Sequence, residues 1–288
     1  RNTHKYKVVC YYEGNSDINN GLRIENIDPC VCTHMIYKFA MLHNGYIIQP
    51  EKPQFELNTP NNGNNGLYRR FNSMKNANPN LSTMIAVGGG DQNFINYVNL
   101  MQNSELRYMF AHNAVRFLTT HGFDGLDIGW SYPSSAQDPR TIYHNFVLLL
   151  RELRNHFEPY GLILSASISG FQQQIDAFYN VAGISDNVDF INVAAFTQTH
   201  GPIYQATPLF THSPHLRPYS ISYIVDYLLM KQVDPRKLVV GLPAYGVLKQ
   251  PFANKHFGQS SHLHQTPHAI SDYTISLVNY NQVSKPIN

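Results

Sequence analysis

At 288 residues and 43 % hydrophobic content, the chain has room for one barrel-sized domain or two ordinary ones. A net charge of +2 argues against nucleic acid or an acidic membrane surface as the partner, and no run reaches the roughly 18 apolar residues that cross a membrane. Asn, Tyr and His are frequent while Lys and Glu are sparse, a composition expected of a secreted protein, and the first residue, Arg1, is consistent with a signal peptide already removed.

In chain order, 6–12 is a β-rich run ending in Glu13-Gly14-Asn15, a first strand and its loop. A short helix is expected over 22–27, closed by Asp28-Pro29. Residues 33–41 alternate as a second strand, with Tyr37, Phe39 and Met41 on one side. The stretch 49–66 is rich in Pro, Asn and Gly and is expected to be a loop. A helix over 67–76 stops at Asn78-Pro79-Asn80, and 81–87 is a third strand running into Gly88-Gly89-Gly90. Amphipathic runs at 105–120 and 141–157 flank a fourth strand. Strands five to seven are expected at 162–168, 188–196 and 238–242, separated by helices at 172–183 and 219–231. Seven evenly spaced β/α units fit a (β/α)₈ TIM barrel better than a doubly wound sheet.

The fourth strand carries the chemistry. In Asp124-Gly125-Leu126-Asp127-Ile128-Gly129-Trp130-Ser131-Tyr132-Pro133, positions 126, 128 and 130 share one face and 127, 129 and 131 the other. A strand covered on both sides should be almost wholly apolar, so polar residues gathered on one face mark a site. Over these ten residues the chain resembles glycoside hydrolase family 18, the chitinases and their non-enzymatic chitinase-like relatives, whose signature there is D-G-x-D-x-D-W-E-Y-P. C-T-H-M-I-Y at 32–37, A-V-G-G at 86–89 and G-L-P-A-Y-G at 241–246 match in the same order, so the resemblance covers about 6–246. Gly129 stands at the family's middle Asp and Ser131 at its catalytic Glu.

The resemblance implies a TIM-barrel domain over 1–250, followed at 251–288 by a tail that is either the start of an inserted α+β domain or a degenerate closing segment around 274–278. Relatives carry a Trp on an eighth strand, whereas the single Trp here is Trp130. An open seven-stranded barrel would leave backbone groups unpaired on two edges, so a fragment or a partner segment is expected instead. The resemblance also implies a Cys10–Cys32 disulfide, with Cys30 left over; spacing alone leaves three reduced thiols open as the lesser alternative. Asn80-Leu81-Ser82 is a glycan acceptor if the chain is secreted.

In this family the substrate's N-acetyl oxygen supplies the nucleophile, and the protein supplies an acid at the leaving oxygen and a second carboxylate. The resemblance therefore implies a degenerate site at Asp124, Asp127, Gly129 and Ser131, in which Asp127 is what remains of the three-acid ladder. A serine hydroxyl cannot serve as the general acid, and the loss of a positioned acid typically costs about 10² to 10⁴ in rate. No hydrolase activity is expected. Saccharide stacking is expected from Tyr11, Phe39, Trp130, Tyr132, Phe196 and Tyr245 beside Asp127. Asn15 and Gly90 replace cleft tryptophans, Thr197 an aspartate and Val247 an arginine, so binding of a chitin-type oligosaccharide or glycoprotein glycan is expected to be weak.

Lys38 occupies a position where relatives have a small residue, with no role assigned. His256, His262, His264 and His268 cluster in the tail but are read as chance in a chain of 14 histidines, so neither a metal nor another cofactor is expected. The rival readings are a protein-interaction, signalling or storage factor that has lost carbohydrate binding, and a residual N-acetylglucosaminidase or chitinase. A hydrolase using Ser131 as nucleophile is disfavoured, because W-S-Y is not a G-x-S-x-G elbow.

Overall fold

The computed structural model describes residues 5–19, 21–57, 65–88, 94–129, 139–196, 208–211, 214, 217–251 and 273–279. Seven parallel strands form one curled sheet in chain order: β1 (Val9–Glu13), β2 (His34–His43), β4 (Ser82–Val87), β5 (Gly125–Ile128), β6 (Ile163–Ser169), β7 (Phe190–Ala194) and β8 (Leu238–Val240). One further strand, β3 (Ile47–Pro50), folds back antiparallel on β2. The helices between the strands lie on the outer face, the longest being Ser104–His121 and Pro139–Phe157. This is the TIM-barrel arrangement with its closing unit missing among the described residues.

The helix before β5 has both of its ends specified locally. The Asn103 side chain accepts from Glu105 N and Leu106 N at the start, and Gly122 takes a left-handed conformation (φ 78°) at the end. Alternation then sorts the strand residues into two layers. Ile85, Val87, Leu126, Ile128, Leu164 and Val193 point outward into the main core beneath the helices. Ile36, Met84, Ala86 and Phe190 point inward and form a small apolar floor inside the curl. Ser165, Ser167 and Asn192 lie on the inward positions between those outward residues, as does Asp127.

The structure departs from the sequence expectation at several points: the helix expected at 67–76 is two, Leu67–Asn72 and Met74–Ala77, a helix at Phe94–Gln102 lies outside the expected elements, and Tyr37 and Phe39 lie in opposite layers rather than on one side. The stretch 49–66 is not wholly loop, since it begins with β3 and contains a one-turn helix, Pro53–Glu56. The helix expected at 172–183 is two, Gln172–Phe178 and Val181–Asn187, because Asn180 caps the second by accepting from Gly183 N. The segment around 274–278 is no closing barrel strand. As β10 (Tyr273–Asn279) it pairs antiparallel with β9 (Tyr245–Pro251) in a separate two-stranded sheet, so the second sheet begins within the span assigned to the barrel.

The Cys10–Cys32 disulfide is formed, joining β1 to the residues before β2 with a Cα–Cα distance of 6.1 Å. Cys30 lies outside it and is exposed.

Candidate functional site

At the N-terminal ends of the strands one device recurs. The side chain just before a strand accepts the backbone N–H of the strand beside it: Thr33 Oγ1 from Val8 N at 2.9 Å, Asp124 Oδ2 from Thr83 N at 2.7 Å and Asp189 Oδ2 from Leu164 N at 2.8 Å. Each aspartate also holds a helix cation, Lys75 for Asp124 and Arg154 for Asp189, both at 2.8 Å. Asp124 is thereby removed from the candidate site: it ties strands together at the opposite end of the sheet from the exit of β5. Asn80, exposed on the turn before β4, lies at that same end.

Asp127, three residues further along and on the inner face, is completely buried. Four donors from three other strands converge on it. Oδ1 accepts from Ser165 Oγ at 2.6 Å and from Asn192 Nδ2 at 3.2 Å. Oδ2 accepts from the Tyr11 hydroxyl at 2.9 Å and from Ser167 Oγ at 3.0 Å, and those two hydroxyls lie 2.7 Å apart. Burial pushes the Asp127 carboxyl above its ordinary value and outweighs the four hydrogen bonds, each of which acts to lower it. Burial, then the adjacent Asp127, raises the Tyr11 phenol in the same way. Although its hydroxyl is tied into this well, the Tyr11 residue is 39 % exposed, so an edge of its ring borders solvent.

Gly129 lies on the same inward row, two residues beyond Asp127. A Cβ there would come within 3.2 Å of Ser167 Cβ and 3.3 Å of Asp127 Oδ2. A Cβ at 129 therefore fits only if Ser167 or Asp127 gives by a few tenths of an ångström. Asn192 Oδ1 is buried with no partner among the described residues, so the well keeps one unmet acceptor.

Of the expected saccharide contacts, the fold brings Tyr11 and Asp127 into direct contact. Phe39 packs against the inner apolar floor, and the Lys38–Phe39 peptide bond is cis, at a register shift between Tyr37 and Ala40. Phe196 is half-buried just past β7; a Cβ at Gly241 would lie 3.2 Å from its ring. Tyr245 does not extend β8; it opens β9 in the second sheet. Trp130, Ser131, Tyr132 and the tail histidines lie outside the described residues. Ser165, Ser167 and Asn192 escaped the sequence reading, although the alternation argument applied to position 127 finds them as polar residues on the inward parity of apolar strands.

Residues 7–283 match the family described as Glycosyl hydrolases family 18. Among similar proteins, probable chitinase 2 of Drosophila melanogaster is 34 % identical over 84 % of this chain and 51 % of its own length. Human chitinase-3-like protein 2 is 31 % identical over 84 % of this chain and 63 % of its own. The chain thus spans between half and two thirds of these relatives. Among solved structures, the Group IV chitinase of Ostrinia furnacalis superposes with a TM-score of 0.76 at 28 % identity, covering 86 % of this chain and 69 % of that one. Human YKL-39, described as a pseudo-chitinase with retained chitooligosaccharide binding properties, superposes with a TM-score of 0.73 at 29 % identity over 87 % of this chain and 70 % of its own. With a family match running almost end to end over a curled β/α sheet whose fourth parallel strand buries Asp127, the chain belongs to glycosyl hydrolase family 18.

Proposed function

We propose that this chain is a secreted chitinase-like protein that binds a saccharide or a glycoprotein glycan at the C-terminal mouth of the sheet and does not hydrolyse it. The observation that carries the reading is the fourth-strand ladder. Its first carboxyl, Asp127, is buried beneath four donors, while Gly129 and Ser131 supply no carboxyl at the two positions nearer the exit. Asp127 stands four residues from Ser131, about 13 Å along a strand, and cannot reach a leaving oxygen there. Its full burial and its four donors suit an anchor for the wall of a binding mouth rather than a proton donor to substrate.

Retention of sugar binding is supported by Tyr11 and Phe39 on the inner face of neighbouring strands, and by the relative described as keeping chitooligosaccharide binding without chitinase function. The single tryptophan, Trp130, is the reporter. Titration with an N-acetylglucosamine hexamer should give a saturable change in its fluorescence with no release of reducing ends. Turnover of a chitobiose substrate that Asp127→Ala abolishes would sink the inactive reading. A second reading, a protein-interaction factor without sugar binding, draws on the exposed apolar residues Leu209, Phe210 and Leu242; an unresponsive Trp130 would favour it.

A further inference from the structure

At the exit end of its inner face the sheet carries a cation as well as the buried carboxyl of Asp127. On the inner face, β1 and β2 align Tyr11 with Ile36 and then Glu13 with Lys38, so Lys38 follows the Tyr11 row one step nearer the exit. There the register shift between Tyr37 and Ala40 breaks the alternation. Lys38 is half-buried, with its ammonium 5.6 Å from the centre of the Phe39 ring. Among the described residues it belongs to no ion pair. Glu13 stands across the ladder from it, exposed and unjoined to it.

Just past the end of β1, Asn15 accepts a hydrogen bond from the Lys52 amine, whose own backbone N–H donates to Glu56. On the negative side, the one carboxyl of the ladder is Asp127, covered completely by Tyr11, Ser165, Ser167 and Asn192. Positions 129 and 131 hold Gly and Ser, so the repulsion that two further carboxylates would exert on an anion is gone. An ammonium that has no ion-pair partner among the described residues is free to donate a charge-assisted hydrogen bond to a ligand that brings a negative group.

We propose that the mouth selects a saccharide bearing an anionic substituent, a carboxylate or a sulfate, and that Lys38 is the residue that reads it. The inference rests on the saccharide-binding reading and refines its ligand class from neutral chitin-type chains to acidic ones. The ammonium over Phe39 places a charge donor beside an apolar ring, the pairing that grips the anionic edge and the flat face of one sugar together.

The test is calorimetric titration of the intact chain with three hexasaccharides: neutral N-acetylglucosamine hexamer, hyaluronan, which offers carboxylates, and chondroitin sulfate, which adds sulfates. At least one acidic probe should bind about tenfold more tightly than the neutral one, and the difference should shrink as salt rises from about 0.05 to 0.5 M. Lys38→Met, which keeps the apolar stem, should bring the acidic-to-neutral affinity ratio to about one; unaltered circular dichroism would confirm that the variant is folded. Whether hyaluronan suffices or the sulfated probe is needed identifies the anion. Equal or tighter binding of the neutral hexamer overturns the inference while sparing the saccharide reading. Acidic binding untouched by Lys38→Met overturns it too, because the anion is then held elsewhere. Failure of all three probes removes the saccharide reading itself.

Discussion

Asp127 is the clearest case of a residue whose chemistry its surroundings set. Replacing it with Ala would strand the hydroxyls of Tyr11, Ser165 and Ser167 and the Asn192 amide in a buried space, at a cost of about 2–4 kcal/mol measured by urea unfolding. Asp127→Asn tests the pH linkage. An unfolded Asp titrates near about 3.9, and burial raises the folded value, so the folded chain holds its proton to higher pH. Stability is therefore full below the unfolded value and falls as pH rises toward the folded one. Glu56, raised by burial despite bonds from Tyr37 and Lys52 N, adds to the same slope. Unfolding free energies from pH 4 to 8 should decline less steeply in Asp127→Asn than in the parent. An identical decline would show that Asp127 does not titrate there. Gly14 is a different kind of dependence. A Cβ at this residue would meet Tyr37 Oη at 1.9 Å, so Gly14→Ala should displace the Tyr37–Glu56 pair and cost about 1–3 kcal/mol.

Individual strands are joined at one end by the aspartate clamps, and these make a prediction about elements. Asp124→Ala should loosen β4 against β5, and Asp189→Ala should loosen β6 against β7. Both side chains are more than a third exposed, so their ion pairs add little and the lost backbone acceptor dominates, at about 1–2 kcal/mol each. The clamps share no partner, so the double variant should show the sum to within about 0.5 kcal/mol. Marked non-additivity would mean the sheet bottom acts as one unit. Asp124 also shows why a motif position is not yet a site. It stands three residues from Asp127, and three residues of strand both reverse the face and carry the side chain about 10 Å toward the opposite end. The β9–β10 hairpin makes the same point for an element: 274–278 has the pattern of a strand, but pattern carries no information about which strand it will pair with.

For the whole molecule, the Cys10–Cys32 bond closes a span of 22 residues across the first β/α unit. Loop-closure entropy puts its contribution at about 3 kcal/mol, so Cys10→Ser/Cys32→Ser should lower the thermal midpoint by several degrees; no change would mean that the reduced chain is already held by the β1–β2 ladder. Much of the architecture was legible beforehand: seven β/α units, the long helices flanking β5, the disulfide implied by family resemblance, and the inward row containing 127 and 129. Those features follow from local period and residue type, which a linear chain carries in itself. The sequence also determined, without any coordinates, that Gly129 and Ser131 occupy the ladder positions where relatives carry acids. Only the tertiary structure decided that Ser165, Ser167, Asn192 and Tyr11 meet on Asp127, that Asp124 serves the other end, and that Lys38, without an ion-pair partner among the described residues, follows the inward row of Tyr11. Each of those depends on register between strands separated by tens of residues, and on a closeness that burial alone converts into a shifted proton affinity or an unmet charge.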